Sequence, residues 1–428
     1  VYNETVIINK SIQLLGAQAG VDARTRSGIA STESIVTGPS IALIQAVADR
    51  VVIDGFTVQN NTTGPGIFTS AAFSGYWVMN NIIQNNVFGI LNNSSGARYT
   101  EVRQNFLRSN NQPGAGSGNG ILSDMTTSNI WVDSNLFTGH QLASVNFSPA
   151  GTATTDIIIS NNRMVTDNSI TLANTNNVKI FENNMTDTQG SSIFFGGSTN
   201  QTDIERNILH NSISNGINVT TFFTGVPNAN IRAKYNSIQG NSNAGLQIVA
   251  GSYNVTPPND RLDATNNWWG SPTGPAPIGS GDRVIDPGNV AEITPFLTSD
   301  PFITQQISQV LSTGPILGPP GTQTVRIEIL NDDPISTAVI EIIGFYLPPN
   351  SAKLPYVHEL FTINPNIKVL KSFFVNSLDQ YEYQFGILNT SNVLISVWAI
   401  DVNGNVLASQ RVVASEQSTI STITPNVP

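Results

Sequence analysis

The feature that most limits what this chain can become is an asparagine that returns at nearly regular intervals through its first two thirds. Segments ending Val78-Met79-Asn80-Asn81, Val102-Arg103-Gln104-Asn105, Val132-Asp133-Ser134-Asn135, Ile159-Ser160-Asn161-Asn162, Ile180-Phe181-Glu182-Asn183, Ile204-Glu205-Arg206-Asn207, Ala233-Lys234-Tyr235-Asn236 and Ala264-Thr265-Asn266-Asn267 share one form. Each is an apolar residue, two variable ones, then Asn. Successive asparagines lie 24, 30, 27, 21, 24, 29 and 31 residues apart, a loose period in the solenoid range. A second phased mark follows, a small residue leading an apolar one: Gly89-Ile90, Gly120-Ile121, Ala143-Ser144-Val145, Ser169-Ile170, Ser192-Ile193, Gly216-Ile217 and Gly245-Leu246. The one long interval between the two marks, after Asn105, contains the glycine-rich stretch Gln112 to Gly118. Insertions therefore gather at one corner of the repeat.

Before each asparagine the residues alternate. Ile130/Val132, Ile157/Ile159, Val178/Ile180 and Ile231/Ala233 are apolar at every second place, the period of a strand with one buried face. No helical stripe interrupts them. Short strands, tight turns and a period in the twenties predict one coil per repeat, stacked into a right-handed parallel β-helix. Asparagine at one corner has a physical role there, because it tolerates left-handed backbone angles and its amide can bond the same group one coil above and below. Asn81, Asn105, Asn135, Asn162, Asn183, Asn207, Asn236 and Asn267 are thus expected to form a structural ladder. Triplets such as Asn92-Asn93-Ser94 read as by-products of this composition rather than as glycosylation sites.

Composition narrows the function. The chain has 428 residues, about 50 of them asparagine, yet only 11% are charged, with a net charge of −10. Such a chain lacks the charge of a disordered one and the basic footprint of a nucleic-acid binder. Zero cysteine removes disulfides, thiolate nucleophiles and cysteine-based metal sites. No apolar run approaches the roughly 20 residues of a membrane span. The opening on Val1 leads us to expect a processed or excised chain.

Two stretches resemble a known superfamily. Val1-Tyr2-Asn3-Glu4-Thr5 through Leu15-Gly16 is similar to the opening coil of bacterial right-handed β-helix proteins of the pectate-lyase-like superfamily. Asn266-Asn267-Trp268-Trp269-Gly270-Ser271-Pro272-Thr273-Gly274-Pro275 resembles the closing motif of its secreted members. The resemblance covers about residues 1 to 300 and implies the fold. For activity it leaves lyases, hydrolases, esterases, adhesins and fibres all open.

After Phe302 the pattern changes. Pro and Gly between 314 and 321 predict a linker over 303–322, and strand-like runs from Val325 to Val413 predict an antiparallel β-sandwich over 323–428. The stretch Gln380 to Arg411 resembles small β-sandwich modules of spore-surface and cell-surface proteins in Bacillus-like bacteria. The expected architecture is therefore all-β, a parallel β-helix over 1–302 followed by a small sandwich.

Chemistry would need acids and bases gathered on one outer face. Positions four before each ladder Asn read Trp77, Glu101, Trp131, Ile158, Lys179, Asp203, Arg232, Asp263, and those two before read Met79, Arg103, Asp133, Ser160, Phe181, Glu205, Lys234, Thr265. Charge alternates from coil to coil, which favours cross-strand pairing, as between Lys179 and Asp203, Arg103 and Asp133, or Glu205 and Lys234. Asp203, Glu205, Arg232, Lys234 and Asp263 are also the catalytic candidates of an alternative reading, a polysaccharide lyase using Ca²⁺ and a Lys or Arg base, or a glycoside hydrolase using two carboxylates. The scatter of His140, His210 and His358 argues against a metal site, and solvated or locally bonded rings are the default. Trp77 and Trp131 share an outward column and are candidates for stacking a glycan or a partner. Trp268-Trp269 is expected to close an end of the helix. The favoured reading is a non-enzymatic structural or adhesive protein of a bacterial cell or spore surface, without cofactor, acting through self-association or contact with another surface protein or a polysaccharide.

Overall fold

The computed structural model describes residues 1–420 apart from Ile29, Ser169, Pro258, 303–306, 319–320, 350–351, 376–377 and Asn389. Ser169, one of the phased small residues, and the end of the sandwich region at 421–428 fall outside the described residues, as do parts of the expected linker. The chain divides into two compact units, Val1–Phe302 and Ile303–Pro428.

The first unit is a parallel β-helix. Three sheets run its length: sheet I, ten strands from Tyr2–Asn3 to Ser237–Gln239; sheet II, eleven from Val6–Ile8 to Val284–Ile285; and sheet III, eleven from Gln13–Leu15 to Ala291–Glu292. Every pairing within them is parallel, coil on coil. The alternation seen in the sequence fixes which side chains turn inward. On sheet II, Ile90, Ile121, Val145, Ile170, Ile193, Ile217 and Leu246 stand in register. On sheet III, Val78, Val102, Val132, Ile159, Ile180 and Ile204 do the same. All are buried, and each removes enough apolar surface from water to contribute about 1.5–3 kcal/mol.

The corner between sheets III and I holds the asparagines. Asn207, for example, donates from Nδ2 to the Ile180 carbonyl at 2.9 Å, to the Glu205 carbonyl at 3.0 Å and to Asn236 Oδ1 at 3.0 Å. Its own Oδ1 accepts from the Asn183 backbone N–H and Nδ2, both at 3.0 Å. The same Nδ2 to Oδ1 contact runs unbroken from Asn81 through Asn105, Asn135, Asn162, Asn183, Asn207 and Asn236 to Asn267. The left-handed backbone expected of these asparagines belongs instead to the residue before each one. Asn80, Gln104, Ser134, Asn161, Glu182, Arg206, Tyr235 and Asn266 all have φ between 53° and 57°. The turn needs one left-handed residue, and the ladder's bonds compensate even where that residue has no intrinsic liking for the conformation.

Five residues beyond each ladder asparagine from Asn81 to Asn236 lies a second, chemically mixed column at the corner between sheets I and II. Asn86 Nδ2 donates to Asn110 Oδ1 at 3.0 Å, and Asn110 Nδ2 meets His140 Nε2 at 3.1 Å. His140 Nδ1 lies 2.7 Å from Asp167 Oδ2, both side chains fully buried. Further along, Asn241 donates to Asp282 at 2.8 Å. Because Asn110 supplies the hydrogen, His140 Nε2 must accept it, which assigns the ring as the neutral Nδ1–H tautomer. His140 is therefore a buried ladder member and not a solvated ring. The close stacking of coils on sheet II explains the phased glycines, with the second column crowding them from the side. A Cβ on Gly89 would lie 2.4 Å from the Gly120 carbonyl oxygen and 3.2 Å from Asn110 Nδ2, and one on Gly216 would lie 2.7 Å from the Gly245 oxygen.

Trp269 is fully buried and Trp268 nearly so, at the last coil of sheet I, where the Trp268 carbonyl accepts from the Ile238 N–H at 2.8 Å. Strands Val284–Ile285 and Ala291–Glu292 continue sheets II and III beyond them, so this pair does not close the helix by itself.

The second unit is an antiparallel β-sandwich. One sheet orders 354–363, 338–346, 380–388, 307–312 and 418–419; the other orders 368–374, 322–331, 393–401 and 406–412. Val325, Ile327 and Ile395 from the second sheet pack with Ile340, Ile342 and Phe385 from the first. The stretch expected to be a linker differs from expectation. Ile307–Ser312 is a strand paired with Gln380–Leu388, and Ile316–Leu317 pairs with Tyr381 and Gln380. Val310, Leu311 and Ser312 are all buried in it, a run that the neighbouring Pro and Gly residues obscure in the sequence.

Candidate functional site

The charged columns lie on the outer face of sheet III, in the order expected. Trp77, Glu101, Trp131, Ile158, Lys179, Asp203, Arg232 and Asp263 are consecutive partners in register. The five candidates Asp203, Glu205, Arg232, Lys234 and Asp263 come together over the strands Asn200–Glu205, Ala229–Lys234 and Leu262–Asp263. Arg232 Nε bonds Asp203 Oδ1 at 2.7 Å, and its Nη2 stands 3.7 Å from Glu205. Lys234 Nζ bonds Asp263 Oδ2 at 2.6 Å. Beside them opens a groove of about 980 Å³, lined by Asp203, Arg232 and Asp263 and walled by Asp260, Arg261 and Glu292.

The pairing differs from the in-column scheme at three places. Lys234 takes Asp263 on the next coil rather than Glu205. Arg103 turns to Glu101 on its own strand at 3.4 Å, leaving Asp133 to accept from Ser160 at 2.7 Å and Asn161 at 2.9 Å. Lys179 has no ion pair among the described residues. Long stems let these cations choose among several carboxylates, so strand register alone does not select the partner.

The electrostatics set what the patch can do. The hydrogen bond to Asp203, and then that carboxylate's charge, raise the Arg232 pKa above its ordinary value. For Asp263 burial works upward, but hydrogen bonds from Lys234 and Thr265 outweigh it and hold the carboxyl below its usual range. A base must lose its proton and a general acid must keep one near neutral pH. Both shifts run the opposite way. Ca²⁺ fits poorly as well, since it would compete with Arg232 and Lys234 for the same oxygens, and no group of three or more His, Asp or Glu able to hold a metal occurs among the described residues.

Trp77 is exposed, whereas Trp131 is partly covered and donates from Nε1 to Ser160 Oγ at 2.8 Å. Glu101 lies between them in register. Sequence reasoning missed another aromatic group. Phe222 and Phe223, in the loop after Asn215–Val219, stand 77% and 52% exposed and pack edge to face with each other and with Phe194 on sheet II. The signal was an adjacent Phe pair inside the loop Thr220 to Asn228. His210, on sheet I, bonds Ser237 at 2.7 Å, and His358, in the sandwich, meets Glu341 at 2.9 Å.

No family model and no curated protein matches the chain. Among solved structures it is similar to the Acinetobacter baumannii phage AM24 tailspike protein, at 9% identity over 94% of this chain and 74% of that one, with a TM-score of 0.31. It is also similar to the enzymatically active domains of two Bacteriophage CBA120 tailspike proteins. Tailspike protein 4 gives 11% identity, 96% and 59% coverage and a TM-score of 0.24. Tailspike protein 2 gives 11%, 98% and 71%, and 0.21. Likenesses this distant assign neither a family nor an activity, and the β-helix rests on the strand pairing described above. No helix among the described residues is long and apolar enough to cross a membrane.

Proposed function

We propose that this protein works by contact rather than by chemistry, as a structural or adhesive component of an extracellular or bacterial cell or spore surface. The observation that carries the reading is the ion pairing of the sheet III candidates: Asp203 and Asp263 are each held by a cation, and the shifts at Arg232 and Asp263 favour their charged forms. An ion-pair ladder of this kind is a means of stacking coils. The two buried polar columns serve the same end, giving a long rigid face that presents side chains at fixed spacing. The resemblance of the C-terminal sandwich to surface modules supports the same reading. Its partners in this account are a second surface protein, a further copy of the chain or a polysaccharide.

The test is a degradation screen of the full chain on polygalacturonate, alginate and neutral glucans and galactomannans, with and without Ca²⁺. The contact reading expects no new reducing ends and no unsaturated uronate products. Product release that disappears in Arg232→Ala or Asp203→Asn would instead establish the lyase or hydrolase alternative.

A further inference from the structure

Exposed aromatic rings held rigidly in place are the least expected feature of this surface. The loop carrying Phe222 and Phe223 is fastened to the preceding coil: Thr220 N–H donates to the Phe195 carbonyl at 2.9 Å, Phe223 N–H to the Gly196 carbonyl at 2.8 Å, and Asn228 Nδ2 to the Thr220 carbonyl at 2.8 Å. Gly196 makes the close approach feasible, since a Cβ there would lie 2.2 Å from the Phe223 ring. The three rings of Phe194, Phe222 and Phe223 have centroids 5.1 to 6.3 Å apart at steep angles. The hydrogen bonds hold the loop backbone that presents them.

Their surroundings narrow what that ligand is. Phe194 belongs to an outward row of sheet II that reads Asn146, Thr171, Phe194, Asn218, Gln247 in register. The row is uncharged, in contrast to the ion pairs of sheet III. Asn218 Oδ1, on the strand next to Phe194, is buried and has no hydrogen-bond partner among the described residues. An aromatic face packs against the C–H face of a sugar ring, and amides can both donate to and accept from hydroxyls. A uronate or phosphate would find no cation in this row. The exposed rings form a compact apolar platform flanked by amides, the form that stacks a sugar ring.

We infer that the outer face of sheet II at Phe194, Phe222, Phe223 and Asn218 binds a neutral, hydroxyl-rich glycan, a deepening that rests on the contact reading above. Neighbouring strands repeat every ~4.8 Å, so a glycan chain lying across the coils meets the row Thr171, Phe194, Asn218, Gln247 at regular steps.

Affinity electrophoresis of the full chain in gels containing dextran, laminarin, galactomannan, xyloglucan or polygalacturonate tests this. At least one neutral polysaccharide should retard the protein. Phe222→Ala, whose side chain is mostly in solvent and which should leave the circular dichroism unchanged, should weaken that retardation at least tenfold, and Asn218→Ala should weaken it by several fold. Tyr99→Ala, an exposed aromatic in the loop before the sheet III strand Thr100–Arg103, should not. No retardation by any neutral polymer, retardation by polygalacturonate alone, or unchanged binding in Phe222→Ala overturns the inference. So does a sedimentation experiment in which Phe222→Ala abolishes self-association, which would make the patch a protein interface. Product release in the degradation screen sinks the contact reading while leaving the site standing, so the two failures are separable.

Discussion

Replacing Asn207 by alanine tests how far the asparagine column holds the coils together. The side chain makes three donations and accepts two, and not all of these losses are equal. Asn236 Oδ1 keeps the Asn207 backbone N–H at 2.9 Å, and Asn183 Nδ2 keeps the Ile159 and Phe181 carbonyls. The Glu205 carbonyl keeps the Glu182 N–H. The Ile180 carbonyl keeps its place in the parallel pairing of its strand with Asn200–Glu205, so one group is left stranded inside the protein, the Asn183 N–H. At about 1–3 kcal/mol for a buried unsatisfied group, the substitution should cost about 1–3 kcal/mol. Asn207→Asp retains the acceptor but loses every donation and buries a charge, so it should be at least as damaging. Gln189→Ala, on an exposed side chain, serves as the control and should stay within about 0.5 kcal/mol. Urea unfolding followed by circular dichroism and tryptophan fluorescence supplies the comparison. A cost for Asn207→Ala indistinguishable from the control, or a neutral Asn207→Asp, would refute the argument that the amide column is a source of stability.

Three further outcomes follow from the same physics. Nitrogen-15 NMR should find His140 as the neutral Nδ1–H tautomer, and His140→Phe should destabilise by roughly 1–3 kcal/mol because Asp167 Oδ2 loses its hydrogen bond while Oδ1 keeps the backbone N–H groups of residue 140 and Asn168; an Nε2–H signal would contradict the assignment. Gly120→Ala should lower stability by about 1–3 kcal/mol, since its Cβ would sit 2.5 Å from the Ser144 carbonyl oxygen, and a thermal midpoint equal to the parent's would show that the coil can shift. In the sandwich, backbone N–H groups of Ser336 and Ile335, with Thr390, pull the Asp333 carboxyl down to about 2. A lowered folded value means that its contribution is present above the ordinary carboxylate pKa of 3.8 and is lost as pH falls from there towards about 2. A carbon-detected NMR titration giving Asp333 a midpoint near 4 would exclude this network.

The helical fold was legible because its two strongest signals are chemically narrow. An asparagine at the first corner is almost irreplaceable, and the small residue after the second corner has no space for a larger one. The second polar column was not legible for the opposite reason. Asn86, Asn110, His140, Asp167, Thr188, Ser212 and Asn241 all sit five places after a ladder asparagine, but the position accepts amide, imidazole, carboxylate and hydroxyl alike. A search by spacing rather than by residue type would have found it. The outer columns of sheet III were readable to the residue, because strand pairing fixes register; the ion-pair partners were not, because Lys234 and Arg103 reach past their nearest neighbours. The patch at Phe222 lay in a corner loop whose path no periodicity constrains, and the strand Ile307–Ser312 was hidden by the prolines that follow it.

Because the ladder asparagines reach no farther than the coil before and the coil after, no coil depends on its ordinal position in the stack. Excising the 24 residues from Asn184 through Asn207 would bring Asn183 into contact with Asn236 and close the second column from Asp167 to Ser212. The length of such a protein is thus an adjustable quantity, set by how many cassettes are strung together, and a surface that must reach farther or less far can be had by duplication or loss of a cassette without redesigning a core.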